Sequence, residues 1–410
     1  MLEQIKFIVR DFIANKNYKK IFKKIKENSK NRKINVLFLV RENSKWTYES
    51  LYHEMEKSRL FSPIIAVSLL RDVARGKDKT RNDLDSSYKF FKNKNYNVVK
   101  AYENKKFLNL KTFNPDIIFY DQPWDLPQKH NPFTVSSFAL TAYCDYGLEL
   151  FYNNDSYRSN FHALLYKFFV DNKSNSKRYN ANNLNRHDNC ISFGYPKLDT
   201  YLVESSIAEE NIWKEPNKFK IIYAPHHSFE ENGLNLATFR HNGYYILNLA
   251  KKHHLNTTWI FKPHPRLKYA LIKNDIMTEK EINDYFDEWD KLGKIYDKGE
   301  YFDIFKTSDL MITDCCSFLG EYLPTKKPII QLVNPKHKEF NVLGKKITSQ
   351  NYKAHNNLEL NKYFEAIVIN KNDSLCENRI KLIPELIDKK TSASKIIEYL
   401  TNEIEGNNNA

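Results

Sequence analysis

Three short segments in the second half of the chain hold residue types that could act on a phosphorylated substrate. In Thr257-Thr258-Trp259-Ile260-Phe261-Lys262-Pro263-His264-Pro265-Arg266, two prolines flank one histidine. They restrict the backbone on both sides of it and remove two N–H donors, a commitment that an ordinary surface loop does not need. With an ordinary pKa of about 6.5, His264 can donate to phosphate oxygens or protonate a leaving group near neutrality. Lys262 and Arg266 flank it and can neutralise more charge. In Leu310-Met311-Ile312-Thr313-Asp314-Cys315-Cys316-Ser317, an apolar run ends in Thr-Asp, and a helical pattern begins near Ser317 and includes Glu321. A helix start can hold a pyrophosphate on its N–H groups without a glycine loop or a metal. Ser317 adds a hydroxyl there, and Asp314 would orient the loop or bond a substrate hydroxyl. Plain N-capping by Asp314 or Ser317 is the other use of those residues. The third segment, Lys220-Ile221-Ile222-Tyr223-Ala224-Pro225-His226-His227-Ser228, sets Pro225 and His226 just after another apolar run. In the first half, a polar stretch offers Asp121, Asp125 and His130 as bases toward an acceptor hydroxyl.

Each of these segments follows an apolar run of strand length, so a parallel sheet would carry it at the carboxyl edge, where α/β proteins bind ligands. The runs are 34–40, 63–70, 96–99 and 116–120, then 219–224, 257–261, 310–313 and 328–333. Helical patterns at 46–59, 78–92, 234–252 and 317–323 lie between them. Strands alternating with helices predict parallel sheets covered on both faces. A chain of 410 residues exceeds the roughly 250–300 at which one core stops growing. The expected fold class is therefore α/β in the GT-B arrangement, two Rossmann-like domains whose parallel sheets face a central cleft. Residues 1–33 form a basic amphipathic helical segment, 34–193 an N-terminal acceptor domain, 194–402 a C-terminal donor-binding domain and 403–410 a polar tail.

Composition removes several function classes. Only 10 glycines occur, and neither GxGxxG nor GxxxxGK[ST] is found, so Walker-type and ordinary dinucleotide readings lose their support. The 5 cysteines are odd in number and lack paired ligand spacing. His226-His227 and His253-His254 belong to no Cys/His/carboxylate set of recognised spacing. A reducing compartment, no metal and no cofactor are expected. The net charge of +14 favours polyanionic partners, but the lysines are scattered and no nucleic-acid-binding motif accompanies them. Between Lys16 and Lys33 there are nine Lys/Arg and one acid, Glu27, on a helical apolar pattern. Such a helix would lie on an anionic membrane surface, or pack on the first domain with a solvated basic face. No apolar stretch approaches the roughly 20 residues that span a bilayer, and charges interrupt the N-terminus. The expectation is no signal peptide, no transmembrane helix, and a cytoplasmic location, peripheral at the inner face of the plasma membrane.

The chain resembles the CDP-glycerol glycerophosphotransferases of teichoic acid and capsule synthesis. The resemblance rests on Gly194-Tyr195-Pro196-Lys197-Leu198-Asp199, Tyr223-Ala224-Pro225, His264-Pro265, and the stretch from Ser308 to Leu332, similar to that family's strand, T-D-Y-S-S, acidic residue and K-K-P-I-I. It covers residues 190–335 firmly and the first domain loosely. It implies a GT-B fold, a CDP-activated polyol donor (CDP-glycerol or CDP-ribitol), release of CMP, and a lipid-linked or polymeric acceptor. It also implies donor recognition and catalysis by His264 and Asp314, phosphate contact by Thr313 and Ser317, and the family's acidic position at Glu321. Cys315 stands where the family has Tyr, and Cys316, at a donor-binding position, where it has the first Ser. The family's acceptor motif, a Gln with His-Gly soon after, is absent, which leaves His130 as the candidate base. A GT-B glycosyltransferase using a nucleotide sugar is the rival reading. A non-catalytic polyanion-binding protein is the rival of another class, resting on charge alone.

Overall fold

The protein is described by a computed structural model that covers residues 2–76, 84–152, 159–184, 188–203, 210, 212–230, 233–297 and 300–406. The chain divides into two compact units, one of residues 1–147, 153–202 and 387–410, the other of 148–152 and 203–386.

The first unit is built on seven parallel strands: β1 (Ile34–Val40), β2 (Phe61–Val67), β3 (Val98–Lys100), β4 (Ile117–Tyr120), β5 (Leu140–Cys144), β6 (Lys167–Val170) and β7 (Cys190–Ser192). Their order in the sheet is β3-β2-β1-β4-β5-β6-β7. Alternate side chains of β1 feed two cores: Val36, Phe38 and Val40 enter one, Leu37 and Leu39 the other. This is the period-two consequence of a pleated strand with both faces covered, and it accounts for the unbroken apolar run. Helix α1 (Leu2–Asn28) lies against this unit, burying Ala14, Tyr18 and Ile25. The Tyr18 hydroxyl bridges Thr141 Oγ1 at 2.6 Å and the Leu164 carbonyl at 2.7 Å.

The second unit carries β8 (Phe219–Ala224), β9 (Thr257–Phe261), β10 (Lys294–Ile295), β11 (Leu310–Thr313), β12 (Ile329–Leu332) and β13 (Tyr352–Ala354), all parallel, in the order β10-β9-β8-β11-β12-β13. That is the Rossmann order, with its switch point between β8 and β11. Each unit taken by itself is a parallel α/β sheet, as the expected GT-B fold class requires.

The units divide elsewhere than at residue 194. The chain leaves the first unit after Leu202 and returns to it at Ile387. Helix α2 (Glu49–Lys57) receives the C-terminal helix α5 (Ser392–Glu405), whose Ala393, Ile396, Leu400 and Ile404 join the first core. Asp199 fixes this return, accepting from Ser392 N at 2.8 Å, Ala393 N at 3.0 Å and the Ser50 hydroxyl at 2.8 Å. Gly194 sits at φ +97°, and a Cβ there would fall 2.5 Å from Ser392 Oγ. The Gly194–Asp199 stretch thus docks the chain's own C-terminal helix.

Candidate functional site

The residues singled out in the second half meet at the switch point. Strands β8 and β11 end flush, Ala224 pairing with Thr313, and β9 runs beside β8, Tyr223 pairing with Phe261. Past these ends the Lys262 amide donates to the Tyr223 carbonyl at 2.8 Å, and the His264 amide to the Pro225 carbonyl at 3.1 Å. Pro225 therefore contributes its carbonyl, which ties the His264 turn to β8.

Asp314 is the hub. It is buried, and one oxygen accepts from the His226 amide at 2.6 Å. The other accepts from the Thr238 amide at 2.7 Å and its hydroxyl at 2.8 Å, at the start of α3 (Phe239–Lys252). Burial pushes its carboxyl up to about 6, against the pull of these hydrogen bonds. With both oxygens engaged, Asp314 positions the histidine loop. Thr313 is also committed internally, since its fully buried hydroxyl donates to the Ala224 carbonyl at 2.6 Å and accepts from the Cys315 amide at 2.9 Å. The expected phosphate contact by the Thr313 side chain is corrected accordingly.

Three imidazoles converge above this frame. The His227 and His264 rings stack at 3.9 Å, His226 lies 4.5 Å from His227 and 5.2 Å from His264, and one nitrogen from each falls within 4.8 Å of the others. Linear spacing could not reveal this set, because its members come from two neighbouring strands. Such a trio can hold a cation or an anion, and hydrogen bonding decides between them. His226 Nδ1 accepts from the Ser228 amide at 3.2 Å and contacts the Ser228 hydroxyl at 2.8 Å, and that hydroxyl accepts from the Leu236 amide at 3.1 Å. His264 Nδ1 accepts from the Arg266 amide at 3.1 Å. A neutral imidazole whose Nδ1 accepts carries its proton on Nε2, so both rings present N–H donors. Burial, reinforced by His227, pushes His226 down to about 3, which keeps it neutral. A metal ligand needs the Nε2 lone pair, so His226 and His264, as held here, fit an anion.

The remaining predicted residues fall around the set. Arg266 is exposed beyond His264. The Lys262 ammonium is buried over the rings of Tyr296, Tyr301 and Phe318 at 5.1–5.9 Å. Tyr301 donates to Glu321, itself buried, so the acidic position supports the aromatic wall. Helix α4 spans Cys316–Glu321; its N-cap is Cys315, so neither Asp314 nor Ser317 caps it. Cys316 and Ser317 are half-buried, and burial raises the Cys316 thiol well above its usual range.

His130 is corrected. It belongs to the first unit and is fully buried, with Nε2 2.9 Å from the Leu108 carbonyl and its ring edge-on to Phe107. Desolvation pushes it down to about 4. Asp121 is closed in a buried ion pair with Arg41 at 2.6 Å, and Asp125, at φ +56°, accepts from the Asp72 amide at 3.0 Å. All three serve the fold. Sequence reasoning marks His227 and Ser228 only weakly, by their place with His226 at a strand's carboxyl edge, and gives no signal for Thr238.

Residues 150–338 match the family model described as CDP-Glycerol:Poly(glycerophosphate) glycerophosphotransferase, the family that the sequence resembles. The match contains the three imidazoles, Asp314 and α4. No curated protein was found to match the sequence. Among solved structures, the chain is similar to the S. aureus MnaA–UDP complex (TM-score 0.58, 12% identity, 90% of this chain and 96% of that one). It is likewise similar to a UDP-GlcNAc 2-epimerase from Neisseria meningitidis bound to UDP-GlcNAc (0.57, 13%, 90% and 100%) and a glycosyltransferase from Rickettsia africae (0.50, 15%, 92% and 100%). At these identities the likeness establishes the fold.

Proposed function

We propose that the protein transfers a polyol phosphate from a CDP-activated donor to a hydroxyl of a polymeric or lipid-linked acceptor, releasing CMP. The family match over residues 150–338 supports a transferase of the glycerophosphotransferase type, and similar folds hold UDP or UDP-GlcNAc, which supports a nucleotide-activated donor. The observation that carries the reading is the pair of imidazoles, His226 and His264, held by backbone amides as Nε2–H donors at the switch point.

In this reading the donor's diphosphate lies on those N–H groups, with Arg266 and Ser317 beside it. The acceptor oxygen forms a bond to the β-phosphorus, and the bond from that phosphorus to the oxygen of CMP breaks. CMP leaves with the electron pair, and the hydroxyl proton passes to solvent. Fixed donors aimed at the oxygens where charge accumulates stabilise such a transition state without reorganising. Asp314 acts through the loop it holds.

The test is nucleotide release by the purified chain from CDP-glycerol, CDP-ribitol and nucleotide sugars including UDP-GlcNAc, with crude lipid-linked acceptor, beside His264→Asn. Asparagine keeps an acceptor for the Arg266 amide and removes the Nε2–H. CMP release from a CDP-polyol that falls 100-fold or more (about 10²–10³ for one oxyanion donor) in folded His264→Asn supports the proposal. Nucleotide release from a nucleotide sugar alone would replace it with the glycosyltransferase reading.

A further inference from the structure

Helix α1 buries one face and presents the other to solvent, and the exposed face is divided along its length. At 100° per residue, Ala14, Tyr18 and Ile25 lie at about 180–220° from Ile5, on the buried side. The opposite side carries Ile5, Ile8, Val9, Phe12 and Ile13, all exposed, with Ile8 at 64% and Phe12 at 69%. Further along the same line come Lys16, Lys19, Lys20, Lys23 and Lys24, all exposed and without an ion-pair partner among the described residues. One solvent face thus offers an apolar patch roughly 12 Å long followed by a cationic patch of similar length. Tyr18 holds the helix rigidly to the first unit from behind through its two buried hydrogen bonds.

We infer that this face docks the protein on an anionic lipid surface, the apolar patch entering the headgroup boundary and the lysines lying on lipid phosphates. Charge complementarity together with the apolar patch selects this occupant. A nucleic acid would use the lysines and leave five apolar side chains in water. A bilayer surface takes both, through apolar burial and through attraction to anionic headgroups. The membrane-surface and packed-helix readings of this segment are therefore compatible: one face packs, the other docks. No described helix is long and apolar enough to cross a membrane, so α1 would lie in the plane of the surface.

The experiment is flotation of the full chain with vesicles of phosphatidylcholine and phosphatidylglycerol in equal parts, and with phosphatidylcholine alone, at about 0.1 M and about 1 M salt. The wild type is expected to float with the anionic vesicles at low salt, and less at high salt. Ile8→Glu/Phe12→Glu should abolish flotation. Lys19→Glu/Lys20→Glu/Lys23→Glu should weaken binding about 100-fold, at roughly fivefold per lysine. Both variants change exposed residues only, so their circular dichroism and Tm should match the wild type. Equal flotation with neutral vesicles, or variants that float like the wild type, would overturn the inference. So would a wild-type dimer that ignores lipid and is dissociated by Phe12→Glu, or salt-sensitive RNA binding without vesicle binding.

Discussion

His226→Asn separates the two things that this histidine does. Asparagine Oδ1 can take the place of Nδ1, accepting from the Ser228 amide and hydroxyl, while the Nε2–H and the titration of the ring are lost. In the folded chain His226 is held down at about 3 by burial, against an ordinary 6.5, so the unfolded chain takes up the proton first as pH falls. Its contribution to stability is complete above pH 6.5 and declines as pH drops toward 3, at about 1.4 kcal/mol per pH unit. Between pH 6.5 and 5 the wild type should lose about 2 kcal/mol through this residue, and the variant none. The variant should start lower, by ~1–2 kcal/mol for the lost ring packing, and the gap should close by pH 5. For a unit of this size that corresponds to a relative Tm change of about 4–8 °C. Asp314 titrates in the opposite sense, its raised carboxyl favouring the folded state at low pH and losing that contribution as pH rises through about 6. It is present in both proteins, so it drops out of the difference. The assay is thermal unfolding of both proteins across pH 5–8. A gap that stays constant over that range would refute the buried, neutral His226 and with it the assignment of a fixed Nε2–H donor.

Ser228→Ala should raise the donor KM about fivefold with little change in kcat, because it removes one of two groups holding His226 Nδ1, a contact of about 1 kcal/mol; steady-state kinetics on the active donor would show it. His130→Gln should retain turnover per folded molecule, whereas a loss of 10²–10⁴-fold, the usual contribution of a general base, would reinstate it as the acceptor's base. Gly194→Ala should destabilise the first unit by ~1–3 kcal/mol through its positive φ and the clash with Ser392 Oγ, seen as faster proteolysis near residue 387. Asp199→Ala should act at the same place by removing the acceptor for two α5 amides, at about 0.5–2 kcal/mol for a lost cap.

The strands nearest the site were legible because each combines an unbroken apolar run with a sharp stop. The runs expected at 219–224, 257–261 and 310–313 are the observed β8, β9 and β11. Elsewhere local signals misled. Pro63 looks like a strand start, yet β2 begins at Phe61, because the ladder to β3 opens only at Ile65 and a proline before it disturbs little. Strands β5, β6 and β7 were not anticipated: they are three to five residues long, and Thr141, Lys167 and Ser192 break their apolar runs. The return of α5 to the first unit depends on contacts with residues 193 to 340 positions away, which no window of sequence displays. The expected helix at 78–92 is observed over Leu84–Asn93, its first part lying outside the described residues.

At the site, the chemistry that could be read from residue types was legible, and the division of labour was not. Asp314 reads as a substrate contact because it follows a strand, and Thr313 and Glu321 take their expected roles from the family resemblance. Here each is buried, and each has a partner within the second unit. The polar groups just after β11 build the frame, and the imidazoles after β8 and β9 are what the frame presents. Pro263 and Pro265 predict a restricted turn around His264, and in that turn the Arg266 amide donates to His264 Nδ1 at 3.1 Å. A switch point whose side chains are oriented by backbone amides needs no glycine-rich loop, which is compatible with a chain of only 10 glycines.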